Sequence, residues 1–247
     1  PVVISSVYPG PAHDPSISLV LAPEISAAAR WVDARYALLF PGGGNGPFDT
    51  LRTSRILIPA STPIHPALAQ FVEAVTAVSL RPDDLDPRFG LYTLNSAPLS
   101  QWSGQETVNF DNAVLLRAAH WLSPAVQPGD VAELVTVWEV VDPARVGPAV
   151  LPFYTTDATL FTQVLTDDDQ ILAQRDSLEA PSWDWQSGDV IVQVHPLVVP
   201  PETATGHYRT IVGLYDKLSG ERRPVIAADG TILATFAEIP ALQVSSP

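Results

Sequence analysis

The chain has 247 residues, of which 27 are Asp or Glu and 13 Lys or Arg, for a formal charge of −14. Its one lysine, Lys217, and scattered arginines disfavour nucleic acid as a partner and exclude a polybasic membrane-surface segment, since both need clustered cations. With 46% apolar residues, no cysteine and no methionine, it is a globular polypeptide without disulfides, thiolate catalysis or cysteine-based zinc sites. The longest charge-free candidate, Ile56 to Val72, is broken by Pro59, Pro63 and Pro66 and falls short of a membrane span. The start at Pro1 reads as that of a piece of a larger protein.

The first 95 residues mix strand and helix signals. Val2 to Val7 is a β-branched run ended by Pro9-Gly10-Pro11. Asp14-Pro15 reads as an N-cap with proline in the first helical turn, opening a short helix over Ser16 to Leu21 that Pro23 limits. Trp31 to Phe40 reads as extended, and residues 41–47 as a glycine-rich loop. Arg55 to Ile58 is predicted as a strand. His65-Pro66 opens the strongest predicted helix, with Leu68, Phe71, Val72, Val75 and Val78 near 3.6-residue spacing, and Arg88 to Leu94 is a strand. The order β-α-β-β-α-β predicts a small α/β layered domain over residues 1–95, with helices covering a sheet. Residues 96–107, polar and aperiodic, read as a linker.

From 108 to 247 the helical signal fades. Ala113–Ala119, Asp130–Val140, Thr159–Leu165, Val190–Val199, His207–Tyr215 and Thr231–Ile239 are strand-like and separated by turn signals, which predicts an antiparallel β-sandwich. Leu134, Thr136, Trp138 and Val140 share one face of their strand, so Trp138 is assigned to the core. Gln127-Pro128-Gly129-Asp130-Val131 echoes Gln186-Ser187-Gly188-Asp189-Val190, as two similar turns each preceding a strand.

Motifs for chemistry are sparse. Gly42-Gly43-Gly44-Asn45-Gly46 lacks the lysine and helix of a phosphate loop and reads as a solvent loop. The histidines (His13, His65, His120, His195, His207) show no metal-binding spacing. His13-Asp14, just after the first strand, is a candidate for a cleft between the two domains, although Asp14 is also explained as a helix cap. Asp167-Asp168-Asp169 lacks the remainder of a calcium loop, and no nucleophile elbow occurs. No metal and no cofactor is assigned. Trp183-Asp184-Trp185 is the strongest surface candidate: in an extended segment the two indoles would share a side, roughly 6–7 Å apart, and flat aromatic faces beside a carboxylate suit sugar rings. A tryptophan pair plugging one end of the sandwich is the other reading of the same residues.

A series of phrases gives the chain a resemblance: Asn109-Phe110-Asp111-Asn112; Pro128-Gly129-Asp130 leading to Val137-Trp138; Ala173-Gln174-Arg175-Asp176-Ser177; Trp185-Gln186-Ser187-Gly188-Asp189-Val190-Ile191; Gly206-His207-Tyr208-Arg209; Val212-Gly213-Leu214-Tyr215-Asp216; and Ser219-Gly220-Glu221-Arg222. This resembles the soluble C-terminal region of bacterial integral-membrane glycosyltransferases, the polyprenyl-phosphate-sugar-dependent enzymes related to protein O-mannosyltransferases. Trp31-Val32-Asp33-Ala34-Arg35 and Ile58-Pro59-Ala60-Ser61-Thr62-Pro63 extend the similarity into the first part. The chain departs from the pattern at Gly147 to Thr159, where a compact strand connection is expected. The resemblance implies a non-catalytic, extracytoplasmic module attached to a membrane-embedded parent, with a glycan or protein acceptor and the upstream membrane helices as partners. The family's catalytic residues lie in the membrane portion, so none carries over to a position here. The competing expectation is a stand-alone hydrolase or transferase with its site in the inter-domain cleft.

Overall fold

A computed structural model describes residues 1–6, 18, 20–43, 51–78, 89–102, 106–146 and 158–246. The protein is mostly β, with few short helices. Strand β1 is Val2–Ser5, helix α1 is Pro23–Ala28, and β2 (Ala29–Val32), β3 (Ala37–Phe40), β4 (Arg55–Pro59), β5 (Val72–Val78) and β6 (Phe89–Leu94) follow. The second part contains β7 (Val108–Phe110), β8 (Val114–Trp121), β9 (Val131–Val140), β10 (Ala158–Leu165), β11 (Ile171–Ser177), β12 (Val190–Val198), β13 (Gly206–Asp216), β14 (Val225–Ile226), β15 (Ile232–Ala234) and β16 (Ala237–Val244).

These strands form three sheets. A mixed five-stranded sheet has the order β2-β1-β4-β6-β5, with β1 parallel to both β2 and β4. Two antiparallel sheets follow, a seven-stranded one ordered β15-β14-β7-β8-β9-β12-β3 and a four-stranded one ordered β11-β10-β13-β16.

Two expectations for the first part are corrected. The helix predicted from His65 to Val78 is a 3-10 turn, Pro66–Phe71, running directly into β5. Leu68 and Phe71 are three apart and both buried, as in a 3-10 turn where i and i+3 eclipse. The apparent helical period then continued only because β-branched Val72, Val75 and Val78 occupied a strand that suits them. Pro23 does limit the preceding helix, since Ser18, Val20 and Leu21 are helical and Ala22 is not, and it also opens a further one: it stands at the first turn of α1, where its missing N–H costs nothing. Trp31 to Phe40 is also not one extended run. Asp33 bends it, its carboxylate accepting the Arg35 N–H at 3.1 Å and its carbonyl accepting from Tyr36 and Ala37. The two halves therefore enter different sheets, β3 pairing with β12 as an edge of the seven-stranded sheet.

Residues 97–102 form another 3-10 turn, in which Leu99 and Trp102 are buried. Phe40, Phe71, Trp102 and His120 form a ring-to-ring chain with centroids 5.6–6.0 Å apart. They cover one face of the seven-stranded sheet, alongside Val135, Val137, Val192 and Val194. The opposite face carries Leu134, Thr136, Trp138, Ile191, Gln193 and His195, in agreement with the registers of β9 and β12. Both faces of β9 and β12 are buried, which explains why these strands read as near-continuous apolar runs. Trp138 is 1% exposed, and its Nε1–H donates to the Thr136 hydroxyl at 2.8 Å. Leu160, Val164, Val212, Leu214, Leu242 and Val244 of the four-stranded sheet belong to the same apolar cluster as Leu134, Trp138 and Ile191.

The two echoed turns are alike in detail. Gly129 and Gly188 have φ of 91° and 85°. In each turn the Asp carboxylate accepts from the Gln amide, Gln127 N at 2.9 Å from Asp130 and Gln186 N at 2.7 Å from Asp189. Asp130 is exposed, whereas Asp189 is fully buried. The shared sequence thus makes the same turn twice and leaves the burial to the surroundings.

Candidate functional site

Trp183-Asp184-Trp185 is not extended. Ser182–Asp184 is a 3-10 turn, so the two indoles do not share a strand face at the expected spacing. Trp185 is 6% exposed and donates its Nε1–H to the Ala180 carbonyl at 3.0 Å, which removes it as a stacking platform. Trp183 is half-buried. Asp184 faces inward: its Oδ2 accepts the Trp31 N–H at 2.9 Å and lies 3.6 Å from Arg30 Nε. Its Oδ1 meets no donor. Burial raises the Asp184 carboxyl to about 7, against the opposing pull of Arg30 and the Trp31 N–H.

Beside it, Asp189 accepts from both terminal nitrogens of Arg30, from Gly42 N at 3.0 Å and from Gln186 N. Arg30 lies on β2, Gly42 follows β3 and Asp189 precedes β12, so this ion network ties the five-stranded sheet to the seven-stranded one. It also explains the first glycine of the 42–46 run, the last three of which (44–46) lie outside the described residues. A Cβ on Gly42 would sit 2.5 Å from the Gly188 carbonyl carbon. Gly42→Ala is expected to cost about 1–3 kcal/mol through forced separation of two backbones. Urea unfolding measures this, and an unchanged midpoint would refute the close approach.

The His13-Asp14 candidate lies outside the described residues. The other histidines have separate surroundings. His65 Nε2 is 3.0 Å from Glu133 Oε1, the His120 ring lies tilted against Trp102, His207 is exposed, and buried His195 Nε2 meets the Thr136 hydroxyl at 2.8 Å. Burial lowers the His195 imidazole to about 3, assisted by the positive Arg175. Asp167–Asp169 is the tip of the β10–β11 hairpin, where Arg209 bridges Asp169 and Glu238. Among the described residues, no group of three or more His, Asp or Glu is placed to hold a metal ion.

A second polar cluster surrounds Tyr36. Arg175 lies 4.6 Å and Arg35 5.6 Å from its ring centre. Each guanidinium is committed to a carboxylate, Arg35 to Asp33 and Arg175 to Glu179. Burial raises the Glu179 carboxyl, with Arg175 opposing and Asp33 adding to the rise. The matched charges make this a structural knot at the β2–β3 bend.

The outward face of the four-stranded sheet is different. From the registers, Phe161, Gln163 and Leu165 of β10 share this face with Gln174 and Asp176 of β11 and with Arg209, Ile211, Gly213 and Tyr215 of β13. Phe161, Leu165 and Ile211 form a small apolar cluster of their own, with Tyr215 and Phe236 against it. Gly213 leaves the space that the Phe161 ring fills, since a Cβ there would lie 2.5 Å from the ring. Arg222 comes over the ring from the turn after β13, with its guanidinium carbon 4.2 Å from the centroid, within cation–π range.

Phe161, Gln163, Asp176, Tyr215, Gly220 and Arg222 line a polar cup of about 200 Å³. The Tyr215 hydroxyl donates to Asp176 Oδ2 at 3.1 Å, and Arg222 reaches Gln163 Oε1 at 3.4 Å. Burial and then the Asp176 charge raise the Tyr215 phenol, holding its proton on. Sequence reading did not find this site. Its members come from three separated segments, 161–163, Asp176 and 215–222, and the one local signal is the alternation that places Phe161 and Gln163 on the same side of β10. Asp176, Tyr215, Gly220 and Arg222 nevertheless fall within three of the phrases that carry the resemblance.

The four-stranded sheet's cup holds hydrogen-bond donors and acceptors beside the Tyr215 ring and above the buried Phe161. It contains no activated nucleophile and no paired carboxylates. No protein-family model matches the chain, and no curated protein matches it. No helix among the described residues is long and apolar enough to cross a membrane.

Proposed function

We propose that this chain is a non-catalytic extracytoplasmic module of a membrane glycosyltransferase, built as a β-rich layer followed by an antiparallel β-sandwich, that engages a glycan or a glycan-bearing acceptor. The resemblance supplies the parent class. The observation that carries the binding role is the cup on the outward face of the four-stranded sheet. There Asp176, Gln163 and Arg222 present polar groups to solvent beside the half-buried Tyr215 ring, with Phe161 covered beneath Arg222. Sugars are bound by such sets, with C–H faces against an aromatic ring and hydroxyls paired to carboxylate, amide and guanidinium. The cup takes the role expected of Trp183, Asp184 and Trp185, of which Trp185 is buried and Asp184 is held by the Trp31 N–H and Arg30.

A glycan array probed with the purified chain tests this reading. The expected result is selective binding that weakens about tenfold in Asp176→Asn, the loss of one hydrogen bond to a charged group. Absence of binding to any glycan counts against the module's role, as does binding that Asp176→Asn leaves unchanged.

A further inference from the structure

We infer that the cup reads a single neutral pyranose residue through a vicinal pair of hydroxyls, an inference that rests on the reading of the chain as a glycan-engaging module. Size sets the first limit. At about 200 Å³, the cup is below the range of roughly 300–1,000 Å³ typical of sites for drug-sized ligands, and it suits one ring. The hydrogen-bonding groups set the second. Asp176 uses Oδ2 for the Tyr215 hydroxyl and is otherwise exposed. An ionised carboxylate has about four acceptor positions, so it can take two adjacent hydroxyls of a sugar. Gln163 and Arg222 bring donors to the same space from the opposite side.

Phe161 serves as the anchor for Arg222. It is 1% exposed because the guanidinium lies over it, so the arginine is held in place before a ligand arrives. Tyr215, half-buried and 6.3 Å from Phe161 between ring centres, is the wall left for a sugar's C–H face.

Charge sets the third limit. Within the cup Asp176 offsets Arg222. Around it Asp216 and Glu221 are met by Lys217 and Arg223 in the same turn, so the local charges balance and the excess comes from the whole protein, which carries −14. An acidic sugar meets a repulsive field, and a neutral one does not.

The test is titration of the intact chain, followed by calorimetry or NMR, with methyl glycosides of mannose, glucose and galactose and with methyl glucuronoside. At least one neutral glycoside is expected to bind with a Kd near ~1 mM, as a one-residue contact allows, and the glucuronoside at least tenfold more weakly. Asp176→Asn should weaken the neutral glycoside tenfold while its thermal unfolding matches the parent. Arg222→Lys keeps the charge and loses the planar fork, so it should weaken binding without changing the preference for neutral sugars. An oligosaccharide and a glycopeptide ending in the same residue separate the sources. Equal affinity assigns the recognition to the sugar alone, and a tighter glycopeptide assigns a protein acceptor.

Tighter binding of the glucuronoside at this cup overturns the neutral-sugar inference and leaves the glycan-module reading in place. Array binding that ignores Asp176→Asn overturns the cup as the site. No binding to any glycan overturns both.

Discussion

Asp189→Ala is expected to destabilise the protein by about 3–5 kcal/mol, the range for removing one partner of a buried ion pair. For a chain of this length that corresponds to a fall in Tm of roughly 8–15 °C. Asp189 is fully buried and satisfies four donors on three segments, Arg30, Gly42 and Gln186. Without it, Arg30, itself 5% exposed, keeps a buried positive charge with only the more distant Asp184 for company. The double variant Arg30→Met/Asp189→Leu removes both charges and is expected to be less damaging than Asp189→Ala alone, because the larger part of the loss is the unpaired charge. Differential scanning calorimetry of the three proteins decides this. A loss under about 1 kcal/mol in Asp189→Ala would mean that the network does not join the sheets.

The second large effect is hidden by compensation in the wild-type protein. Asp184 holds its proton up to about 7 in the fold, against 3.8 when unfolded. Between those values the native state binds more protons than the unfolded one, so this group's contribution falls as pH rises through the window. His195 does the reverse. Its folded value is about 3 against 6.5 unfolded, so the native state binds fewer protons there and stability is lost as pH falls through that window. The two windows overlap from about pH 4 to pH 6.5, where the contributions oppose each other.

Asp184→Asn removes one of them. Its stability minus that of the wild type should grow by up to about 4 kcal/mol as pH rises from 4 to 7, then stay level. His195→Gln should show the opposite difference, gaining on the wild type as pH falls below about 6.5. Urea unfolding of the three proteins between about pH 4 and pH 9 measures both curves. A flat difference for Asp184→Asn would place this carboxyl in the ordinary ionised state.

The balance of charges gives the cup its proposed selectivity and the core its pH dependence, by different physical routes. In the cup, Asp176 is exposed and Arg222 half-buried, so solvent screens them and each remains available to a ligand. At the β2 network the groups are buried, and each missing partner carries a desolvation cost. The Trp183–Trp185 segment, which reads as a surface platform from its residue types alone, stands on the second kind of ground.

Local rules in the sequence determined much of the strand content and the turns. Alternation and turn residues located β4, β6, β8, β9, β10, β12 and β13 to within a few residues, placed Trp138 in the core, and identified two turns that share their hydrogen bonds. These features depend on neighbours close in the chain or on burial that polarity announces. Tertiary structure decided the rest. Whether Leu68 to Val78 is helix or strand depended on the edge that β6 offers to β5, which outweighs a short periodic signal. Whether Asp130 or Asp189 is buried depended on Arg30, some 160 residues from the second and in another sheet. The cup exists because three segments meet over the space that Gly213 leaves for Phe161, and a contact of that separation has no trace in the spacing of residues along the chain.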